Sequence, residues 1–217
     1  MWDVLFMGAF RLDPCDTVAM LECMVHVLPC VHCRRSYGHY VERNPPAACG
    51  RTEEEIARWV WAIHDLVNVK LNKREACIPF SIVQTRHAVF TTWCSPFDPI
   101  DVLAIISLQL ETAEQAKAYA RLAPIFQKIS VLSGAPSVGA HALPTAPAEV
   151  WKHAFALCNA TRRALGLAVH TERSFLEQYE LCRAQGDDAA ASPAASSSST
   201  KRGRTLRQVR AAARVRR

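Results

Sequence analysis

Apolar residues recur along most of this 217-residue chain every three or four positions, and not on alternate ones. That spacing belongs to helices whose one side is buried, and with only 8 glycines to break the chain it predicts an all-α protein. A short apolar segment covers residues 2–10. A second helix is expected from about Asp16 to Val27, with Val18, Met20, Leu21, Met24, Val25 and Leu28 on its buried side. Pro29 then marks a start, and a third helix runs from Cys30 to about Arg43, where "NPP" stops it.

The best-specified helix is written in "RTEEEIARWVWAIHDLVNVKLNK". Thr52 and Glu55 have capping-box spacing, and three acids occupy the first turn, where the helix dipole favours them. Ile56, Trp59, Val60, Ile63, Val67 and Leu71 form its apolar stripe. The same register puts His64 and Asn68 one turn apart on one face. A shorter segment, "SIVQTRHAVFTTWC", follows Pro79.

Beyond residue 97 the pattern predicts a second helical unit reaching residue 185, with one helix from about Asp98 to Lys128. The loop "SGAPSVGAHALPTAP" follows, then helices near 148–168 and 171–184. No chemical motif stands out in it. Residues 186–217 read as a disordered Ala/Ser-rich linker and a basic tail. The expected organisation is therefore 1–96, 97–185 and 186–217.

Charge follows that division. The tail "KRGRTLRQVRAAARVRR" holds eight Lys and Arg and no acid; subtracting these from the net +6 leaves −2 for residues 1–200. Such a tail suits salt-sensitive contact with nucleic acid, a nuclear address or an acidic partner; lacking aromatics, it does not suit base stacking. No window approaches the roughly 18 apolar residues of a membrane span, and "MWDVLFMGAFRLDPC" lacks the basic flank and cleavage site of a signal peptide. A reducing compartment is expected. There, 9 cysteines spread from Cys15 to Cys182 do not read as a disulfide scaffold.

The candidate chemistry lies in "LPCVHCRRSY", residues 28–37. A thiol becomes a nucleophile as thiolate, which a helix N-terminus and nearby cations stabilise; Cys30 and Cys33 start a helix, and Arg34 and Arg35 follow. One turn brings the two sulfurs within bonding reach, which suits a reversible disulfide. Zinc is a rival reading, completed by Cys15, Cys23 or His26, but the upstream spacing is not a tight pair. A thioredoxin-like fold would need alternating strands that are not present in the pattern, and two inert buried cysteines complete the alternatives.

Together, "LPCVHCRRSY" and the later "WVWAIHDLVNVKLNK" resemble the Erv/ALR FAD-linked sulfhydryl oxidases, most nearly the short forms of large DNA viruses. In those proteins a PCxxC helix precedes a helix carrying HxxxNxxLxK. The corresponding residues are Pro29, Cys30, Cys33, His64, Asn68, Leu71 and Lys73, and the likeness covers roughly residues 2–95. It implies a four-helix bundle with a short fifth helix, FAD at the mouth of the bundle, and a homodimer. By this resemblance Cys30 and Cys33 are catalytic, Cys30 exchanging with substrate and Cys33 facing the flavin. Trp2, Tyr37, Trp61, His64, Asn68, Lys70, Leu71 and Lys73 contact the cofactor, and no metal is required. The implied partners are protein dithiols or a thioredoxin-like relay, with oxygen reduced to hydrogen peroxide; for a viral protein the host cytoplasm and the virion are the expected locations.

Three departures from the family pattern bear on this reading. Phe6 of "WDVLF" stands where a flavin-contacting histidine is expected, and the chain begins one residue before Trp2, so the true start would lie upstream or the first helix is shortened. Cellular members carry a C-x16-C bridge whose first cysteine falls at Trp61, so that bridge is absent here, and Cys77 and Cys94 share its spacing too late in the chain to correspond. Cys15, Cys49, Cys158 and Cys182 are candidates for an electron shuttle, each read more readily as a buried apolar cysteine. The second reading is a non-enzymatic helical interaction or virion protein that keeps the fold without the flavin and works through its basic tail.

Overall fold

The computed structural model describes residues 1–49, 52–73, 78–89, 99–139 and 141–179. The linker and basic tail, the boundary near residue 96, and Cys77, Cys94 and Cys182 lie outside the described residues. All regular structure among the described residues is helical. In chain order it comprises α1 (Trp2–Arg11), α2 (Pro14–Val27), α3 (Val31–Arg43), the single turn α4 (Pro46–Cys49), α5 (Glu53–Lys70), α6 (Phe80–Val89), α7 (Pro99–Ser107), α8 (Ala113–Leu132), α9 (Pro147–Ala164) and α10 (172–179).

Helix α1 is central because it is apolar nearly all round. Val4 through Ala9 are all buried, and charge is confined to Asp3 at one end and Arg11 at the other. It packs on α2, α5, α6 and α8, while α2 also carries α3. The four helices α1, α2, α3 and α5, with the short α6 beside them, are the bundle expected from the sequence. Thr52 caps α5 as its spacing predicts, its hydroxyl accepting the Glu55 N–H while the Glu55 carboxylate accepts the Thr52 N–H at 3.1 Å.

The predicted single helix over 98–128 is two helices. Thr112 and Gln115 form a second capping box, and its reciprocal bonds to N–H groups that would otherwise lack partners make a break at 108–112 favourable. Helix α9 ends at Ala164, earlier than expected, with Gly166 at φ 70 just beyond. The "NPP" segment ends α3 and also starts a helical turn, since Pro46 opens α4.

Helix α8 lies antiparallel against α2. Gln115 Nε2 donates to the His26 carbonyl at 3.2 Å near one end, and Lys128 pairs with Asp16 near the other. Between them the contact is close. A Cβ built on Gly8 would sit 2.5 Å from Met20 Cε and 3.5 Å from Ile129 Cδ1, so α1, α2 and α8 meet at a residue with no side chain. The apolar core runs continuously from Leu5 and Met24 through Leu122 and Phe126 to Leu157 and Phe175.

Cys23 and Cys158 are buried, the latter with its thiol toward the Ile100 carbonyl at 3.7 Å. Cys15 departs from the expected burial: it sits exposed on the first turn of α2. No helix among the described residues is long and apolar enough to cross a membrane.

Candidate active site

The CxxC is built by the turn from α2 into α3. Pro29 holds the preceding Leu28 in an extended conformation, and Cys30 is the N-cap of α3, its sulfur accepting the Cys33 N–H at 3.3 Å. The two thiols therefore belong to one helical turn, as the spacing predicts. Arg34 donates from Nη1 to the Leu28 carbonyl at 2.8 Å, tying the helix start to the strand of chain that enters it. Cys33 is exposed and Cys30 half-buried, so access on the protein surface runs opposite to the outward and inward roles that the resemblance implies. Among the described residues, no three His, Cys, Asp or Glu side chains gather as metal ligands.

The second half of the motif lies on α5. Asn68, buried, places Nδ2 3.4 Å from His64 Nε2 one turn earlier. Donation by that amide puts the imidazole proton on Nδ1. Burial, the largest influence, lowers the His64 pKa against the opposing pull of Asp65 and Asp3, so the ring is neutral at pH 7. Trp2 meets it edge-on at 4.8 Å and Phe6 at 5.7 Å.

The end of α5 explains the rest of the spacing. Asn72 takes the left-handed conformation, φ 54, and the Lys73 N–H bonds the Asn68 carbonyl at 2.7 Å while the Asn72 N–H bonds Val69 at 3.1 Å. This is a Schellman ending with asparagine in the position usually held by glycine. Asn68 thus contributes its side chain to His64 and its carbonyl to the turn that carries exposed Leu71 and Lys73. Lys70, in the last turn, donates to the Ser36 hydroxyl. Ser36 lies one turn beyond Cys33, so this bond joins the CxxC face of α3 to the end of α5.

Two predicted contact residues have their polar atoms engaged within the protein. The buried Tyr37 hydroxyl donates to the Leu21 carbonyl at 3.0 Å, and its ring stands edge-on to Trp59. Trp61 donates its indole N–H to the Ile78 carbonyl at 2.8 Å and packs edge-on against Phe80. Residue 78 is the far end of the C-x16-C spacing that begins at 61. The hydrogen bond therefore spans the same two positions that cellular relatives join covalently.

His87 of α6 was not singled out by its local sequence. It stacks on Phe6 at 5.1 Å, and its Nε2 lies 3.8 Å from Asp3. Burial is the main reason its pKa falls to about 4, outweighing the attraction of Asp3; the ring is neutral at pH 7, and the short distance to the carboxylate is not an ion pair there. Phe6 is thus enclosed by two imidazoles. No periodic signal links residues 6 and 87, which meet only through the packing of α1 on α6.

Residues 2–88 match the family described as Erv1 / Alr. Over these residues the chain is similar to that family. The match spans α1 to α6 almost to its end, the part of the chain that holds the CxxC and the His64–Asn68 pair. No curated protein and no solved structure gives a significant match. Erv1/Alr proteins are FAD-linked sulfhydryl oxidases in general, and the chemistry of the residues on α1, on α5 and just beyond it fits a flavin: flat rings at Trp2 and His64, an amide at Asn68, and cations at Lys70 and Lys73 for a diphosphate.

Proposed function

We propose that this protein is an FAD-dependent thiol oxidase of the Erv1/Alr type that makes disulfides in protein substrates through Cys30 and Cys33, with oxygen as the final acceptor. The observation that carries the proposal is the CxxC at the N-terminus of α3, tied through Ser36 and Lys70 to the helix that bears His64 and Asn68.

In the first step a substrate thiolate attacks the sulfur of Cys30 in the oxidised pair, and Cys33 leaves as thiolate. The second substrate thiol then displaces Cys30, releasing the substrate disulfide and the reduced pair. FAD, when bound, supplies a two-electron acceptor and the oxygen chemistry. Two thiols and one oxygen thus become one disulfide and one hydrogen peroxide. Trp2, His64 and Asn68, with Lys70, Leu71 and Lys73, would hold the cofactor. Substrates are protein dithiols or a thioredoxin-like relay, and the working form is a homodimer. Kinship to the viral short forms would place it in host cytoplasm and virion.

A non-enzymatic reading is favoured by one observation, the buried Phe6 where a histidine is expected. The two readings separate on the purified protein. An oxidase is yellow, absorbs near about 450 nm and consumes oxygen with dithiothreitol; Cys33→Ser abolishes turnover and keeps the flavin. Colourless protein inert toward dithiothreitol would leave only the second reading.

A further inference from the structure

A groove of about 660 Å³ runs between α2, α3 and the start of α8; Val31 and Arg34, the sequence neighbours of Cys30 and Cys33, line it, and the two cysteines do not. Val31, Arg34, Arg35 and Gly38 line it along α3, facing Val25 and Gln115. Val31, between the two cysteines in sequence, is 46% exposed, an apolar side chain left in water next to the thiols. Gly38 widens the groove: a Cβ there would meet only Val25 Cγ1, at 3.7 Å.

The charges along α3 give the groove a direction. The guanidinium groups of Arg34 and Arg35 stand next to Cys33 in sequence. The two carboxylates of the lining turn to histidines instead, Glu42 to His39 and Glu114 to His26, both at 3.6 Å. Arginine stays charged at any working pH and matches carboxylates in fork geometry. Arg34 and Arg35 thus make the α3 wall cationic next to the CxxC, Glu114 stands on the facing wall beside His26, and Glu42 lies toward the other end of α3.

We propose that this groove docks the substrate protein itself, through an extended segment carrying an apolar residue and carboxylates next to its reacting cysteine. The proposal rests on the oxidase reading for its purpose but not for its test. The apolar residue covers Val31 and Val25, and the carboxylates face Arg34 and Arg35. Charge complementarity of this kind raises the encounter rate and selects among partners, which a small dithiol cannot exploit.

The test uses the full chain and labelled peptides with serine in place of cysteine, so that no exchange occurs. One peptide carries leucine and two aspartates beside that serine, and the other carries leucine and two lysines. Anisotropy should show the acidic peptide binding at least about tenfold tighter, with the preference falling as salt rises. Gly38→Glu, which fills and recharges the groove, should weaken that binding about tenfold or more, whereas Gly38→Ala should retain it. Arg35→Glu provides a second variant with the same expected loss, should Gly38→Glu misfold. Equal binding of the two peptides, or unchanged binding in both charge variants, overturns the proposal. Oxygen uptake with dithiothreitol is read separately: its absence in the unmodified protein defeats the oxidase reading and leaves the peptide result standing.

Discussion

Lys70, in the last turn of α5, donates to Ser36, one turn beyond Cys33 on α3. Through this bond the helix carrying the thiols is held against the helix carrying His64 and Asn68. Ser36→Ala removes the acceptor while leaving the lysine free to reach solvent, so the stability cost should be small, at most about 1 kcal/mol. Turnover should suffer more, because relative placement of two reacting groups is what the bond secures. A fall of about fivefold in oxygen uptake, with the midpoint of thermal unfolding changed by only a few degrees, is the expected result.

Cys30 has a structural role that can be separated from its chemistry. Its sulfur accepts the Cys33 N–H as the N-cap of α3, and a hydroxyl does this better than a thiol. Cys30→Ser should therefore match or exceed the parent in thermal stability while losing dithiol turnover entirely. Cys30→Ala should lose turnover and also about 1 kcal/mol of stability. Chemical denaturation of the three proteins side by side checks the order.

What the sequence revealed and what it concealed divide along physical lines. Signals contained within one helical turn were legible: the Thr52–Glu55 box, the start of α3 at Cys30, and the pairing of His64 with Asn68. The Thr112–Gln115 box carries the same signal and was hidden, because apolar residues on both sides continue the helical period across the break. Asn72 shows the limit in a turn, since asparagine announces a left-handed residue less clearly than glycine does. The enclosure of Phe6 by His64 and His87, and the bond from Trp61 to Ile78, depend on which helices become neighbours. Local periodicity carries no such information.

The neutrality of His87 gives stability a defined pH dependence. Its pKa in the folded protein is about 4, against an ordinary value of 6.5. Between these values the unfolded chain binds a proton that the folded protein refuses, so stability rises with pH across the window. The contribution is complete above about 6.5 and is lost as pH falls through 4. It amounts to roughly 3 kcal/mol for one group. The charges around the ring are Asp3, Arg86 and Arg11, and burial outweighs them. His64 shifts the same way, so the whole protein should lose stability on acidification. His87→Phe, which keeps a ring against Phe6 and Phe10, should flatten the curve of unfolding midpoint against pH between 6.5 and 4. A curve as steep as the parent's would show that His87 is protonated in the fold.

Trp61 joins α5 to the start of α6 where cellular members of the family use a disulfide. Its indole N–H meets the Ile78 carbonyl at 2.8 Å, and its ring leans on Phe80. A hydrogen bond of this kind contributes about 1 kcal/mol, whereas a disulfide closing a loop of this length contributes about 3 kcal/mol by constraining the unfolded chain. Trp61→Phe keeps much of the aromatic packing and removes the donor. The Ile78 carbonyl is half-buried and can turn to water, so the change should cost about 1 kcal/mol, the usual worth of one hydrogen bond. Because α6 carries His87, the loss should also loosen the stack on Phe6 and lower flavin retention, measured as the ratio of absorbance near about 450 nm to that of the protein. The clasp between 61 and 78 has one further consequence. It holds without a disulfide, so strong reductant should leave the stability of this join unchanged. A large drop in unfolding midpoint on adding reductant would place the stabilising link elsewhere, in a cysteine pair and not in the tryptophan.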